Sequence, residues 1–142
     1  MNQLPQVEWH LITPYCSQEQ TNGNVLVKPV ANRPFIERLP QSRAVITSAG
    51  FETCTEAMFL EKKLMVIPIK NQYEQYCNAA ALKEMGVPVR NRIDQGFIPE
   101  VRSWLNSPKK SPVLRNAADM GQLADELLYL SRPQSKKNMV YS

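Results

Sequence analysis

Two short stretches of this 142-residue chain gather residue types that suit the binding of a polar ligand. The first is Ser48-Ala49-Gly50-Phe51-Glu52-Thr53-Cys54-Thr55-Glu56. A strand-like run leads into a glycine turn, and the composition beyond it opens a helix. Gly50 allows a sharp turn and lets a ligand approach without meeting a Cβ. Amides of a first helical turn have no intrahelical acceptor, which suits them to a phosphate. Glu56 could accept two hydrogen bonds from a vicinal diol such as a ribose. The alternative is a capping box, Thr53-x-x-Glu56, that satisfies the backbone and binds nothing. Spacing alone favours the capping box, and the charge of Glu52 sits badly with a phosphate at the same helix start. The second stretch is Pro68-Ile69-Lys70-Asn71-Gln72-Tyr73-Glu74-Gln75-Tyr76-Cys77-Asn78-Ala79. Glu74, Gln75 and Asn78 fall within about one turn of a helix start. Together they can accept from and donate to sugar hydroxyls. An ordinary polar helix start would look the same.

Other chemistries find little support. Cys16, Cys54 and Cys77 are odd in number and widely spaced, and His10 is the one histidine. A structural zinc site needs four closely spaced Cys/His ligands, so no metal is expected, and no cofactor. A histidine-driven nucleophile would have to use His10, which sits in a strand-like run and reads as structural. Reduced thiols suit a cytoplasmic protein. The longest apolar run, Leu64–Ile69, is far short of the roughly 20 residues a membrane span needs, and no secretory signal is expected, since no charged stretch followed by an apolar one stands at the start of these residues. The net charge is +4, with eight basic against five acidic residues in 92–142. No nucleic-acid module accompanies that excess, so nucleic acid is not an expected partner. A solvated face and tail is the plain reading, and attraction to an acidic membrane surface the functional one.

These segments need elements to position them. Strands are expected at Val7–Thr13, Val25–Val30, Ala44–Ser48, Leu64–Ile69 and Val87–Val89, with a polar loop over Ser17–Asn24. Helices are expected at Asn32–Leu39, Thr53–Lys62, Gln72–Met85 (stopped by Gly86), Pro99–Asn106 and Asp119–Ser131. Residues 1–131 would form one partial α/β domain and 132–142 a flexible tail. Alternating strands and helices with short connections imply an α/β fold, a doubly wound, Rossmann-like parallel sheet. Ligands bind such sheets beyond the carboxyl ends of the strands, which selects the same two stretches.

Taken together, residues 44–89 resemble the C-terminal domain of GT-B glycosyltransferases, closest to family 28. The shared pattern is a strand ending in a Ser/Gly-rich turn, a Thr-x-x-Glu helix start, and then Pro-x-x-x-x-x-x-Gln-x-x-Asn-Ala. Val25–Leu39 fits the segment just upstream. The resemblance implies that Glu56 holds the ribose and that the amides of Gly50, Phe51, Glu52 and Thr53 hold the diphosphate. Glu74 and Gln75 would contact the donor sugar, with Asn78 close behind, and the backbone at Val30 and Ala31 would read the base. Many relatives carry Asp-Gln or Gln-Gln where this chain has Glu74-Gln75, and a small or neutral residue in place of Glu52. The implied function is the nucleotide-sugar-binding half of an inverting, metal-independent glycosyltransferase, with a UDP-sugar as donor. No catalytic base is expected here, because in this family it lies with the acceptor on an N-terminal domain, supplied in cis or in trans. The alternatives are a non-catalytic nucleotide-sugar-binding module and a GT-B-type sugar-nucleotide epimerase. The run Val7–Thr13 matches the family's second strand, so the first strand–helix unit is expected to be missing from these residues.

Overall fold

The computed structural model describes residues 3–30, 37–116, 118–119, 121–122 and 125. In chain order the elements are β1 (Trp9–Thr13), β2 (Gln20–Asn22), β3 (Val25–Pro29), β4 (Ala44–Thr47), α1 (Phe51–Phe59), β5 (Lys63–Val66), α2 (Tyr73–Glu84) and α3 (Phe97–Asn106). They fall into two compact units, Met1–Val45 with Arg92–Lys110 and Ile46–Asn91 with Ser111–Ser142. The expected helices over 32–39 and 119–131 lie largely outside the described residues, and the expected tail over 132–142 wholly so.

The first unit holds a three-stranded sheet of order β1-β3-β2. β1 and β3 are parallel, from Trp9 opposite Val25 to Thr13 opposite Pro29. β2 runs antiparallel to β3 and closes a hairpin at Asn22 opposite Val25. Gly23 has φ 60 at the first central position of that turn, where a type II′ turn calls for glycine. The expected loop over Ser17–Asn24 is therefore partly a strand. Gln20, Thr21 and Asn22 are all exposed and polar, so no apolar alternation marks them. In α3 the buried residues Phe97, Val101 and Leu105 recur every four positions and make one inward stripe. Pro99 is tolerated because a first-turn N–H has no intrahelical acceptor anyway. At the other end, Arg43 Nη2 donates to Leu105 O at 3.1 Å, a cation on a helix C-terminus.

In the second unit β5 pairs with β4, and Ile67 N donates to Thr47 O at 2.9 Å. Its other side carries a parallel bridge between Val66 and Val89. Leu64, Met65 and Val66 are fully buried, as the unbroken apolar run predicts. β5 stops at Val66 rather than Ile69, because Pro68 cannot donate to a ladder. Pro88 likewise reduces the expected strand Val87–Val89 to that single bridge. The strands thus form two sheets in a mixed α/β arrangement with parallel segments.

α1 and α2 end in the same way. Val87 N donates to Leu82 O and Gly86 N to Lys83 O, each at 2.9 Å, with Gly86 at φ 91. Lys62 N donates to Ala57 O and Glu61 N to Met58 O, with Glu61 at φ 56. Each is a Schellman motif, but only one has glycine at its left-handed position. Glu61→Gly is therefore expected to raise stability by about 1 kcal/mol, and Gly86→Ala to lower it by about as much, in urea denaturation.

Candidate functional site

α1 begins at Phe51, two residues earlier than expected, with Gly50 as its N-cap. This places Thr53 third and Glu56 sixth in the helix, and no side chain caps it, so the capping box does not form. Gly50 has φ −72 and ψ 136, a conformation open to any residue. The turn itself therefore does not require glycine. A Cβ built there would meet only Ser48 Oγ, at 3.9 Å.

The first bond into the helix is Cys54 N to Gly50 O, at 3.3 Å. The N–H groups of Gly50, Phe51, Glu52 and Thr53 have no acceptor among the described residues. Four donors at the positive end of a helix dipole form an anion-binding arrangement. Glu52 is exposed at this end, and its backbone carbonyl accepts from Thr55 Oγ1 at 2.8 Å. Glu56 is half-buried one turn on, and its carboxylate makes no hydrogen bond or ion pair among the described residues. Two carboxylate oxygens are left able to accept.

Behind the turn, Cys54 Sγ donates to Ser48 O at 3.6 Å. Burial pushes this thiol up to about 12, so it stays neutral and keeps its proton for that bond. From α2, Asn78 Nδ2 donates to Ala49 O at 2.9 Å. Asn78 is buried, and its bond joins the two stretches that the sequence singles out.

The second stretch enters α2 through Asn71 at φ 63, with Gln72 as N-cap. Gln75 is half-buried, and its Oε1 accepts from Ile69 N at 2.9 Å. Its oxygen being engaged, Gln75 offers its NH₂ as a donor, while Glu74 is exposed and offers acceptors. Ile69, Tyr73 and Tyr76 are exposed around them. These apolar neighbours, and the turn-holding role of Cys54, go unmarked in the sequence reading. Tyr73 and Tyr76, three apart on a polar helix start, were the available signal.

The remaining candidates lie elsewhere in the chain. Val30 is exposed and follows β3 in the first unit, and its N–H donates to Thr13 O at 3.2 Å. Ala31 lies outside the described residues. His10, on β1 in the first unit, pairs its Nε2 with Glu8 Oε1 at 2.5 Å. Among the described residues no three His, Cys, Asp or Glu side chains group as metal ligands. No helix among them is long and apolar enough to cross a membrane.

A family model described as glycosyl transferase family 1 matches residues 11–105, a span that contains both stretches of the site. No curated protein and no solved structure matches the chain.

Proposed function

The chain belongs to glycosyl transferase family 1, and on that premise we propose that its second unit is the donor-binding part of a GT-B glycosyltransferase related to family 28. In this reading the unit takes a nucleotide-activated sugar, with a UDP-sugar as the donor. The observation that carries it is the set of four N–H groups at Gly50–Thr53 without an acceptor among the described residues, with the carboxylate of Glu56, likewise unengaged among them, one turn away. The amides hold the diphosphate and Glu56 the ribose hydroxyls. Glu74 and the NH₂ of Gln75 meet the sugar hydroxyls, with Asn78 behind them.

Transfer would be a direct displacement with inversion. An acceptor oxygen attacks the anomeric carbon as the bond to the diphosphate breaks, and the electron pair leaves with the phosphate. The amides and the helix dipole stabilise that developing charge, with no need for a metal. The acceptor site and the base that takes its proton would come from a further domain, in cis or in trans. A cytoplasmic setting, with the basic C-terminal third drawn to an acidic membrane surface, completes the reading.

Gly50→Ala tests the diphosphate assignment without disturbing the fold. The backbone there is ordinary and the Cβ has room, so melting should be unchanged or slightly improved. A methyl group facing the phosphate should nevertheless weaken UDP binding measurably in calorimetric titration. Undiminished UDP affinity would remove the diphosphate from this turn.

Gln75→Ala should spare UDP and weaken a UDP-hexose, because only the sugar meets Gln75. Equal losses for both ligands would move Gln75 out of the sugar pocket.

A further inference from the structure

We propose that Asn78 is a positioning residue for the diphosphate site, acting through the Ser48–Gly50 turn, and that Cys54 shares this task from α1. The proposal rests on the donor-site reading above and assigns Asn78 to the turn instead of the sugar.

The geometry is that of two side chains on two successive carbonyls. Asn78 Nδ2 reaches Ala49 O at 2.9 Å from α2, and Cys54 Sγ reaches Ser48 O at 3.6 Å from α1. Ala49 is fully buried and Asn78 is 4% exposed. In a trans peptide the carbonyl and the following N–H point in opposite directions. Holding Ala49 O toward Asn78 therefore turns the Gly50 N–H away from α2. That N–H is the first of the four unpaired donors. Asn78 thus sets the direction of the amide that leads the diphosphate site, and its own N–H is engaged in doing so. The Cys54 thiol does the same for the preceding peptide. It is an apt donor for the purpose, being small enough for a buried site and remaining protonated.

The test is calorimetric titration of the full chain with UDP and with a UDP-hexose, comparing wild type with Asn78→Asp, Cys54→Ala and Cys54→Ser. Asn78→Asp keeps the size of the side chain but replaces the donor with an acceptor. It should weaken both ligands by the same factor, about tenfold, the equivalent of one lost hydrogen bond. Cys54→Ser keeps a donor and should retain affinity, while Cys54→Ala should lose it for both ligands alike. If Asn78→Asp fails to fold, the two Cys54 variants carry the comparison. Loss confined to the UDP-hexose would place Asn78 on the sugar and overturn the proposal. So would unchanged affinity in a folded Asn78→Asp, or equal affinities for the two Cys54 variants. A wild-type chain that binds neither ligand would instead defeat the donor-site reading, and the proposal with it.

Discussion

Leu64→Ala is expected to cost about 2–5 kcal/mol of stability, the range for emptying a fully buried aliphatic site. Leu64 is wholly buried on β5, which has β4 on one side and the Val89 bridge on the other. Its N–H donates to Ser111 Oγ at 2.7 Å, so the backbone at this position is tied as well as packed. A domain's total stability is about 5–15 kcal/mol, so the variant should be near its unfolding midpoint in mild denaturant. Urea denaturation followed by circular dichroism reads the change as a lowered midpoint at constant slope. A loss below about 1 kcal/mol would mean that β5 is not the packed centre of the second unit.

Glu56→Ala is expected to weaken nucleoside-diphosphate binding by about 1.5–3 kcal/mol, the range for hydrogen bonds to a charged group. Because the capping box does not form, the change should leave stability within about 0.5 kcal/mol of wild type. The loss should be larger for a ribonucleotide than for its 2′-deoxy counterpart, since the deoxy sugar offers the carboxylate one hydroxyl fewer. Titrating both nucleotides into wild type and variant isolates that difference. Equal losses for the two nucleotides would take Glu56 off the ribose.

Elements were legible where burial left an unambiguous pattern. Leu64–Val66 is apolar without alternation and lies buried on both faces. Gly86 stops α2 through a Schellman motif, and the helix expected over Pro99–Asn106 is present as α3, beginning two residues earlier at Phe97. What escaped the sequence follows from local chemistry that composition does not report. β2 is three exposed polar residues paired in a ladder with β3. α1 starts two residues before the expected Thr53 because Thr53-x-x-Glu56 imitates a capping box, while the real N-cap, Gly50, carries no side chain to advertise it. Once α1 starts at Phe51, Glu56 no longer serves the backbone and its carboxylate is available. The roles of Asn78 and Cys54 depend on contacts 29 and 6 residues away in the chain, which spacing alone cannot convey.

The central claim is that this chain holds a nucleotide-sugar donor at Gly50–Glu56 and Glu74–Gln75. Thermal unfolding in the presence of nucleoside diphosphates and their sugar conjugates tests it most directly. A ligand held by the folded chain at a hundred times its dissociation constant should add about 2.7 kcal/mol of stability. The expected result is a rise in melting temperature with UDP and a UDP-hexose, reduced in Glu56→Ala. No rise with any nucleoside diphosphate or sugar conjugate, at concentrations up to several millimolar, would contradict the account.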